Sequence, residues 1–310
     1  MSGRTLIVVG GPTAVGKTAV AIQLAEHFNA AIVSADSRQI YREMVVGTAK
    51  PSAAERARVP HYFVDTHTVA ESYDAATYAA DARKVIDDLL RESDHVILCG
   101  GSGLYIRGVC EGFDDIPAIP EEIRQELVGN YERKGLAWLQ EEMRRLDPEG
   151  FEAIDWKNPH RLMRALEVKI HTGESIFAYR QKKKIAHPFR IVKIGLDLPR
   201  EALYKRIDAR MDDMIAAGLF EEAHSLYPMR HHNALQTVGY QEIFAFMDHA
   251  YDLAECVRLL KRNSRRYAKR QLTWFKKDPE FKWFSPDDLQ GMIRFVEEAT
   301  NEERGNTNEE

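Results

Sequence analysis

Short apolar runs that end in glycine or polar residues alternate along the chain with segments of helical periodicity. Runs of this length between turn residues are typical of buried strands. The strand candidates are Leu6–Val9, Ala31–Ser34, Val96–Cys99 and Arg190–Leu198. Between them, apolar residues recur three or four positions apart and predict helices, most clearly at residues 73–90. This alternation predicts an α/β fold with a parallel sheet and flanking helices, whose ligands bind at the carboxyl ends of the strands.

One long segment lacks strand patterns. From the proline-containing residues 113–120 to Pro188 the pattern is helical only. The residues that share predicted apolar helix faces are Trp138, Leu139, Met143 and Leu146 on one helix and Leu162, Leu166 and Ile170 on another. We predict an all-helical subdomain at residues 114–187, inserted into a core domain of residues 1–113 and 188–300. The polar residues 301–310 are expected to form a disordered tail.

The composition is that of a globular protein, with 44% hydrophobic and 29% charged residues among 310. Cys99, Cys110 and Cys256 lie far apart and form no C-x-x-C pair, so we expect reduced thiols rather than disulfides or a zinc site. The N-terminus enters a strand without a basic region, and no apolar run approaches about 18 residues. We therefore expect a cytoplasmic protein that does not enter a membrane.

The charge is distributed unevenly. The formal net charge of −5 alone argues against a nucleic-acid partner. Residues 157–193 nevertheless contain ten basic and two acidic residues, and residues 258–277 contain nine basic and no acidic residues. In the second segment, basic doublets recur every four residues and would form one stripe along a helix. Such a stripe favours a polyanionic partner, with a solvated face of salt bridges as the alternative.

The loop after the first strand matches the phosphate-binding pattern G-x-x-x-x-G-K-[ST]. In such loops, glycines turn backbone N–H groups toward an anion, the lysine adds positive charge and the hydroxyl can bind Mg²⁺. Strand, loop and helix follow in the required order. The residues predicted to form the phosphate site are Gly11, Pro12, Thr13, Ala14, Val15, Gly16, Lys17 and Thr18. We expect Mg²⁺ as a cofactor, held at Thr18.

An acidic residue is missing where nucleoside triphosphatases usually carry one. The third strand candidate ends in Gly100–Ser102 rather than in a carboxylate that would hold the water shell of Mg²⁺. Asp36 instead follows the second strand candidate. It could serve the metal or act as a general base toward an acceptor, and spacing does not separate these roles. Ser37, Arg38 and Gln39 are hydrogen-bonding types suited to an acceptor or to a simple polar turn.

Six longer motifs add specificity. They are GPTAVGKT, SADSRQIYREMVVGTAKP, GGSGLYIRGV, NPHRLMRALEV, TVGYQE and AKRQLTWF. In this order, from Leu6 to about Phe275, they resemble the bacterial tRNA dimethylallyltransferases, the isopentenyltransferases of the IPP transferase family. The resemblance implies a P-loop-type sheet whose loop holds the diphosphate of dimethylallyl diphosphate instead of a nucleotide. It also implies that the dimethylallyl group goes to the N6 amine of the adenosine immediately 3′ of the anticodon in tRNA.

The resemblance also implies roles for individual residues. Asp36, Ser102 and Arg210 would form the catalytic set, with Asp36 taking the proton of the amine and Arg210 binding diphosphate. An ion pair with Asp212 or Asp213 is the alternative for Arg210. The residues expected to contact tRNA are Asp36, Ser37, Arg38, Gln39, Ser102, His160, Arg161, Arg164, Lys261 and Arg265. Two features depart from relatives: Ser102 replaces the usual threonine but keeps the hydroxyl, and three cysteines exclude the zinc finger of eukaryotic members.

Three other functions fit parts of the sequence. A P-loop kinase of a small metabolite or nucleoside explains the loop at Gly11–Thr18 but leaves the basic segments without a role. An adenylate isopentenyltransferase acting on free AMP would use the same donor without needing a large cationic surface. A non-enzymatic RNA-binding module would not explain a phosphate loop together with Asp36. No exposed heptad seam stands out, so we expect a monomer.

Overall fold

The computed structural model describes residues 3–180 and 185–306. The chain divides into two compact units, Met1–Cys110 with Ala186–Glu310, and Glu111–Ile185. The smaller unit is an insertion, because residues of the larger unit precede and follow it. Each of its ends lies within three residues of the segment 114–187 that the sequence indicated.

The larger unit is built around a six-stranded sheet with the order β3-β2-β4-β1-β5-β6. The strands are β1 Thr5–Gly10, β2 Ala31–Ser34, β3 His61–Tyr62, β4 His95–Gly100, β5 Arg190–Leu196 and β6 Phe281–Phe284. All neighbouring pairs are parallel, which confirms the predicted α/β fold with a P-loop-type sheet. The sequence did not predict β3 and β6, because runs of two and four residues carry little periodic signal.

The strand register determines which loops meet. Gly10 at the end of β1 pairs with Gly100 of β4 and Gly195 of β5, and Ser34 at the end of β2 pairs with Cys99. The segments after β1, β2 and β4 therefore leave the sheet side by side at its carboxyl edge. All residues of β1 are buried, as expected for a central strand covered on both faces.

Helices cover this sheet. Those of the larger unit are α1 Lys17–Phe28, α2 Ala53–Arg58, α3 Ala75–Glu92, α4 Gly103–Glu111, α8 Arg200–Ala216, α9 Leu219–Leu226, α10 Tyr240–Met247, α11 Leu253–Phe275 and α12 Leu289–Asn306. The helix predicted at residues 73–90 is α3, which begins after Asp74 because the Asp74 carboxylate accepts a hydrogen bond from the Thr77 N–H at 2.8 Å. Side chains of α1, α8 and α12 pack on the sheet in one apolar cluster.

The smaller unit is helical. Its helices are α5 Glu121–Leu146, α6 Pro148–Ala153 and α7 Pro159–Thr172. The apolar core contains these residues from the predicted helix faces: Leu139, Met143, Leu162 and Leu166. The prediction for Ile170 is wrong, since 47% of this residue is exposed. Eight positions after Leu162, it is rotated by about 80° from the buried face.

The C-terminal helix is longer than expected. Residues 301–310 were predicted to be disordered, whereas α12 continues through Asn306. Glutamate and arginine have good helix propensities, so a polar sequence can continue a helix that a preceding apolar segment has anchored. Residues 307–310 lie outside the described residues.

Two expectations from composition concern the membrane and the thiols. Within residues 3–180 and 185–306, none of the helices is long and apolar enough to cross a membrane. Cys110 and Cys256 are buried, and Cys99 is partly exposed.

Candidate active site

The loop between β1 and α1 has the backbone of an anion-binding turn. Gly11 adopts a φ of +150° and Gly16 a φ of +110°. A Cβ atom at Gly11 would lie 2.8 Å from the Leu196 carbonyl oxygen, so a larger residue would displace the loop from β5. Gly16 directly precedes α1, whose N-terminal N–H groups and dipole favour an anion. The loop therefore has the glycine-dependent geometry of phosphate-binding loops.

Lys17, the first residue of α1, folds back over this loop. Its Nζ donates a hydrogen bond to the Pro12 carbonyl oxygen at 2.7 Å. Burial lowers the pKa of Lys17 to about 8, an effect that the Asp36 carboxylate opposes and the Arg210 guanidinium reinforces. A bound anion favours the charged form of a nearby lysine. Lys17 is thus a partly desolvated cation placed to respond to a phosphate group.

Asp36 lies two residues after the end of β2 and faces the same cavity as Lys17. Its Oδ1 accepts hydrogen bonds from the N–H groups of Arg38 at 2.9 Å and Gln39 at 3.4 Å. This turn, closed by the aspartate side chain, fixes the carboxylate at the strand end. From the sequence, Ser37, Arg38 and Gln39 could bind an acceptor or form a simple polar turn; the structure shows a turn, and Arg38 and Gln39 also line the cavity.

Ser102 joins the end of β4 to this turn. Its N–H donates to the Ala35 carbonyl oxygen at 3.1 Å. Its Oγ accepts a hydrogen bond from the Ser37 N–H at 2.9 Å and donates to Ser37 Oγ at 3.1 Å. A Cβ at Gly100 would lie 2.0 Å from the Ala35 carbonyl oxygen, so the two strand ends approach closely only with glycine there. The Ser102 hydroxyl therefore supports the turn that carries Asp36.

Both the oxygen and the nitrogen of the Gln39 side-chain amide form hydrogen bonds. Its Oε1 accepts a hydrogen bond from Ser34 Oγ at 3.4 Å. Its Nε2 donates to the carbonyl oxygens of Thr48 and Ala49, both at 3.3 Å. Residues 47–49 of the following loop also line the cavity.

Two arginines one helical turn apart on α8 reach the cavity. Arg206 Nη1 donates to the Val15 carbonyl oxygen at 3.2 Å, and Arg210 Nη2 donates to that of Thr48 at 3.5 Å. Burial lowers the pKa of Arg210 and Asp36 raises it, but a guanidinium stays charged in proteins. Among the described residues, Arg210 forms no ion pair with Asp212 or Asp213, the alternative considered from the sequence. Sequence reasoning missed Arg206, although its spacing from Arg210 is the signal for one helix face.

Helix α11 contributes two residues to which the sequence assigned no role. The buried Gln271 accepts a hydrogen bond from the Thr13 N–H at 2.8 Å through Oε1 and donates to the Gly101 carbonyl oxygen at 2.9 Å through Nε2. It thus bridges the phosphate loop and the end of β4. Burial, assisted by the charge of Asp36, raises the pKa of Tyr267 to about 12. Both residues lie in or beside the AKRQLTWF motif, which is the signal that pointed to this helix.

These side chains surround a cavity of about 530 Å³ at the carboxyl edge of the sheet. Its polar lining includes Thr13, Lys17, Thr18, Asp36, Arg38, Gln39, Arg206 and Arg210. Its apolar lining includes Ile207, Met211, Met214, Leu219 and Val238. Cationic groups, the carboxylates of Asp36 and Glu55 and an apolar section thus share one space, which suits a ligand with an anionic head and an apolar group.

Oxygen ligands for a metal ion are few in this cavity. In the part of the chain that the structure describes, no three His, Cys, Asp or Glu side chains are grouped to hold a metal. The Thr18 hydroxyl and the Asp36 carboxylate both line the cavity. Mg²⁺ commonly binds through one or two protein oxygens together with substrate phosphates and water. The two groups therefore fit an Mg²⁺ ion that a diphosphate carries with it.

The basic residues of α11 fall into a paired and an exposed set. Lys261 binds Asp212 at 2.6 Å and Arg265 binds Asp208 at 2.5 Å, and both aspartates lie on α8. Arg258 is exposed but binds Glu255 of the same helix at 2.6 Å, and the exposed set consists of Arg266, Lys269 and Arg270. The predicted stripe is therefore partly neutralised by acids of another helix, which the sequence of α11 alone could not show.

The smaller unit likewise contains both exposed and ion-paired basic residues among those predicted to contact tRNA. His160 and Arg161 are exposed at the start of α7. Arg164 binds the buried Glu167 at 3.1 Å, and Arg124 binds the same carboxylate at 3.3 Å. The lysines of the predicted basic segment at positions 182–184 lie outside the described residues.

Comparisons with known proteins agree on one family. The IPP transferase family model matches residues 39–278. The tRNA dimethylallyltransferase of Cytophaga hutchinsonii is 48% identical over 299 residues, which cover 96% of this chain and 98% of the relative. The tRNA dimethylallyltransferase 1 of Phocaeicola vulgatus is 46% identical over 292 residues, covering 94% of this chain and 97% of the relative.

A solved structure extends the similarity to the fold. The crystal structure of the tRNA isopentenylpyrophosphate transferase of Bacillus halodurans aligns with a TM-score of 0.72 at 34% identity. The alignment covers 99% of this chain and 100% of that chain. The similarity therefore includes the phosphate loop, the turn at Asp36 and the inserted helices.

Proposed function

This chain belongs to the IPP transferase family, and on that premise we propose that it transfers a dimethylallyl group from dimethylallyl diphosphate to tRNA. The acceptor is the exocyclic N6 amine of the adenosine immediately 3′ of the anticodon, and pyrophosphate is released. The proposal rests on one observation: residues of the phosphate loop and Asp36 line the same cavity. This arrangement suits a displacement in which a diphosphate leaves and the nucleophile loses a proton.

The donor side of the cavity stabilises the leaving group. As the bond from the allylic carbon to N6 forms, its bond to the diphosphate oxygen breaks and the diphosphate gains negative charge. The N–H groups of the loop at Gly11–Thr18, together with Lys17 and Arg210, stabilise that charge. Thr18 and the diphosphate would hold Mg²⁺, which would supply further positive charge to stabilise the departing diphosphate.

The acceptor side of the cavity activates the amine. An adenine amine is a weak nucleophile because its electron pair is delocalised into the ring, so loss of a proton during attack assists the reaction. We assign proton acceptance to Asp36, whose Oδ1 is oriented by the N–H groups of Arg38 and Gln39. Arg38 and Gln39 line the cavity beside it and are placed to contact the adenine edge. Ser37 and Ser102 support this turn.

The tRNA needs a larger surface than the cavity. The target base must leave its stack, at a cost of a few kcal/mol that contacts with the rest of the RNA offset. We propose that Arg266, Lys269 and Arg270 of α11 and His160 and Arg161 of α7 bind RNA phosphates, since these residues are exposed. Because the substrate is tRNA, we place the reaction in the cytoplasm.

Lys261, Arg265 and Arg164 are held by carboxylates. They can bind RNA only by exchanging these partners. We therefore propose a smaller share of the RNA affinity for them than the sequence suggested.

The proposal is tested by label transfer from radioactive dimethylallyl diphosphate with Mg²⁺ and without ATP. Parallel reactions contain unmodified tRNA with adenosines in the anticodon loop, or free AMP. We expect label in tRNA alone, located at the N6 position by nucleoside digestion. Label in AMP alone would instead identify an adenylate isopentenyltransferase. Absence of transfer, with ATP consumed in the presence of nucleosides, would identify a kinase.

A further inference from the structure

A carboxylate behind the cavity wall holds the loop that follows β2. Glu222 on α9 accepts hydrogen bonds from three consecutive backbone N–H groups: Val45 at 2.8 Å and Val46 at 2.7 Å on Oε2, and Gly47 at 2.9 Å on Oε1. The Tyr240 hydroxyl donates to Oε1 at 2.6 Å. Burial and the nearby Glu222 charge raise the pKa of Tyr240, so the hydroxyl keeps its proton and donates.

This arrangement uses the full capacity of the side chain. A carboxylate has about four acceptor positions, and Glu222 receives four hydrogen bonds. Glu222 also lies in the first turn of α9, where the helix dipole stabilises negative charge. Hydrogen bonds to an ionised acceptor are stronger than neutral ones. The loop at residues 45–47 is therefore fixed by one charged group from a distant part of the chain.

The next two residues of this loop hold side chains of the cavity. The carbonyl oxygens of Thr48 and Ala49 accept hydrogen bonds from Gln39 Nε2, both at 3.3 Å. The Thr48 carbonyl also accepts one from Arg210 Nη2 at 3.5 Å. Thr48 Oγ1 donates to the Met44 carbonyl oxygen at 2.6 Å, which closes the loop on itself. A shift of the N–H groups bound by the carboxylate would therefore move both carbonyls.

We infer that Glu222 is a positioning residue for the transfer reaction. By fixing residues 45–47 it places the carbonyls of Thr48 and Ala49, which orient Gln39 on the acceptor side and Arg210 on the donor side. This inference rests on the proposed function, because Gln39 and Arg210 act together only in that reaction. The one carboxylate thereby couples the two sides of the cavity without contacting either substrate.

Kinetics of three variants test the inference. Glu222→Ala removes all four hydrogen bonds, and we expect kcat/KM for tRNA to fall about 10- to 100-fold. Glu222→Gln keeps the shape and one acceptor oxygen, so it should recover part of this loss and should fold if the alanine variant does not. Glu221→Gln changes an exposed neighbour on the same helix and should leave the rate unchanged. Equal rates in all three variants and the wild type would overturn the inference.

A double-mutant cycle separates positioning from general stabilisation. If Glu222 acts through Gln39, Glu222→Gln should lower kcat/KM for tRNA several-fold less in the Gln39→Ala background than in the wild type. In that background the side chain that Glu222 positions is already absent. If the double variant instead shows the product of the two single fold-losses in kcat/KM, the two residues act independently and the inference is contradicted. All rates are normalised to the folded fraction, so a lower yield of folded protein does not imitate the effect.

Amide hydrogen exchange gives a readout that needs no substrate. In Glu222→Gln, exchange should accelerate at residues 45–49 while the protection of β1 and β4 stays at the wild-type level. Faster exchange throughout the larger unit would show a structural role and overturn the inference. Inactive wild-type protein would refute the proposed function, whereas an unchanged exchange pattern in the variant would refute the anchoring by Glu222.

Discussion

The donor and acceptor sides of the cavity are built in different ways. On the donor side, the loop at Gly11–Thr18 gains its shape from glycines within eight consecutive residues. On the acceptor side, the turn at Asp36 depends on Ser102, and the loop behind it depends on Glu222, up to 177 residues away in sequence. The comparison teaches that the backbone of the leaving-group loop follows from a local glycine pattern, although Gln271 and Arg206 also hold it from distant helices, whereas the loops of the acceptor side have no such pattern and depend on distant residues.

Replacement of the acid on the acceptor side should have the largest effect. In Asp36→Ala, we expect the rate at saturating substrates to fall about a thousandfold, since a positioned general base contributes that much. Affinity for tRNA and for the donor should stay close to the wild-type values. Single-turnover rates and equilibrium binding measure the two quantities separately.

Asp36→Asn is the matched control, because the amide oxygen can still accept the N–H groups of Arg38 and Gln39. It should lose the rate and keep the turn. A variant with normal turnover at saturation but weakened tRNA binding would remove Asp36 from the chemistry. The acceptor side would then serve recognition alone.

Loss of the cation on the donor side should have the next largest effect. In Lys17→Ala, we expect kcat/KM for dimethylallyl diphosphate to fall about a hundredfold, because the variant lacks one of the cationic groups that stabilise the negative charge on the leaving diphosphate. The KM for tRNA should not change. Lys84→Ala, which alters an exposed lysine of α3, is the control and should behave as the wild type. An increase in the KM for tRNA would mean that the two sides are not separate.

The sequence predicted the donor side because its geometry is local. Glycine spacing, Lys17 and Thr18 specify a strand, a loop and a helix without reference to other segments. The alternation of strands and helices likewise predicted the parallel sheet. Asp36 could be found since it ends a predicted strand, but its two possible roles could not be separated from spacing.

The remaining features depend on contacts between distant segments. The bridge from Gln271 to Thr13 joins residues 258 positions apart, which no local pattern reveals. The ion pairs of Lys261 and Arg265 could not be predicted from α11 alone, because Asp212 and Asp208 lie on another helix. Long-range hydrogen bonds and ion pairs become visible only when the packing of helices on the sheet is known.

Loss of the Gln271 bridge between the phosphate loop and the end of β4 should have a smaller effect, which is measured as protein stability. In Gln271→Ala, the Thr13 N–H and the Gly101 carbonyl lose their buried partner, so we expect the free energy of unfolding to fall by about 1–3 kcal/mol. Urea denaturation measures this change. Gln241→Ala removes an exposed glutamine and should cost much less. Equal stabilities of the two variants would show that the bridge contributes little.

The smallest effect concerns the surface of α11. The logarithm of the tRNA association constant should fall less steeply with the logarithm of salt concentration when Arg266, Lys269 and Arg270 are replaced by alanine. The magnitude of this slope should decrease by about 0.7–0.9 for each phosphate that is no longer neutralised. The double variant Lys261→Ala and Arg265→Ala should change the slope less, because Asp212 and Asp208 already compensate these charges. A larger change in the double variant would place the RNA surface on the paired set.

Inhibition by inorganic pyrophosphate tests most directly whether the loop at Gly11–Thr18 is a leaving-group site. Initial rates are measured with wild-type protein while the donor and then tRNA are varied at fixed pyrophosphate concentrations. We predict inhibition that is competitive with dimethylallyl diphosphate but not with tRNA, and that weakens in Lys17→Ala. Pyrophosphate that competes with tRNA, or that inhibits the Lys17→Ala variant as strongly as the wild type, would contradict the assignment.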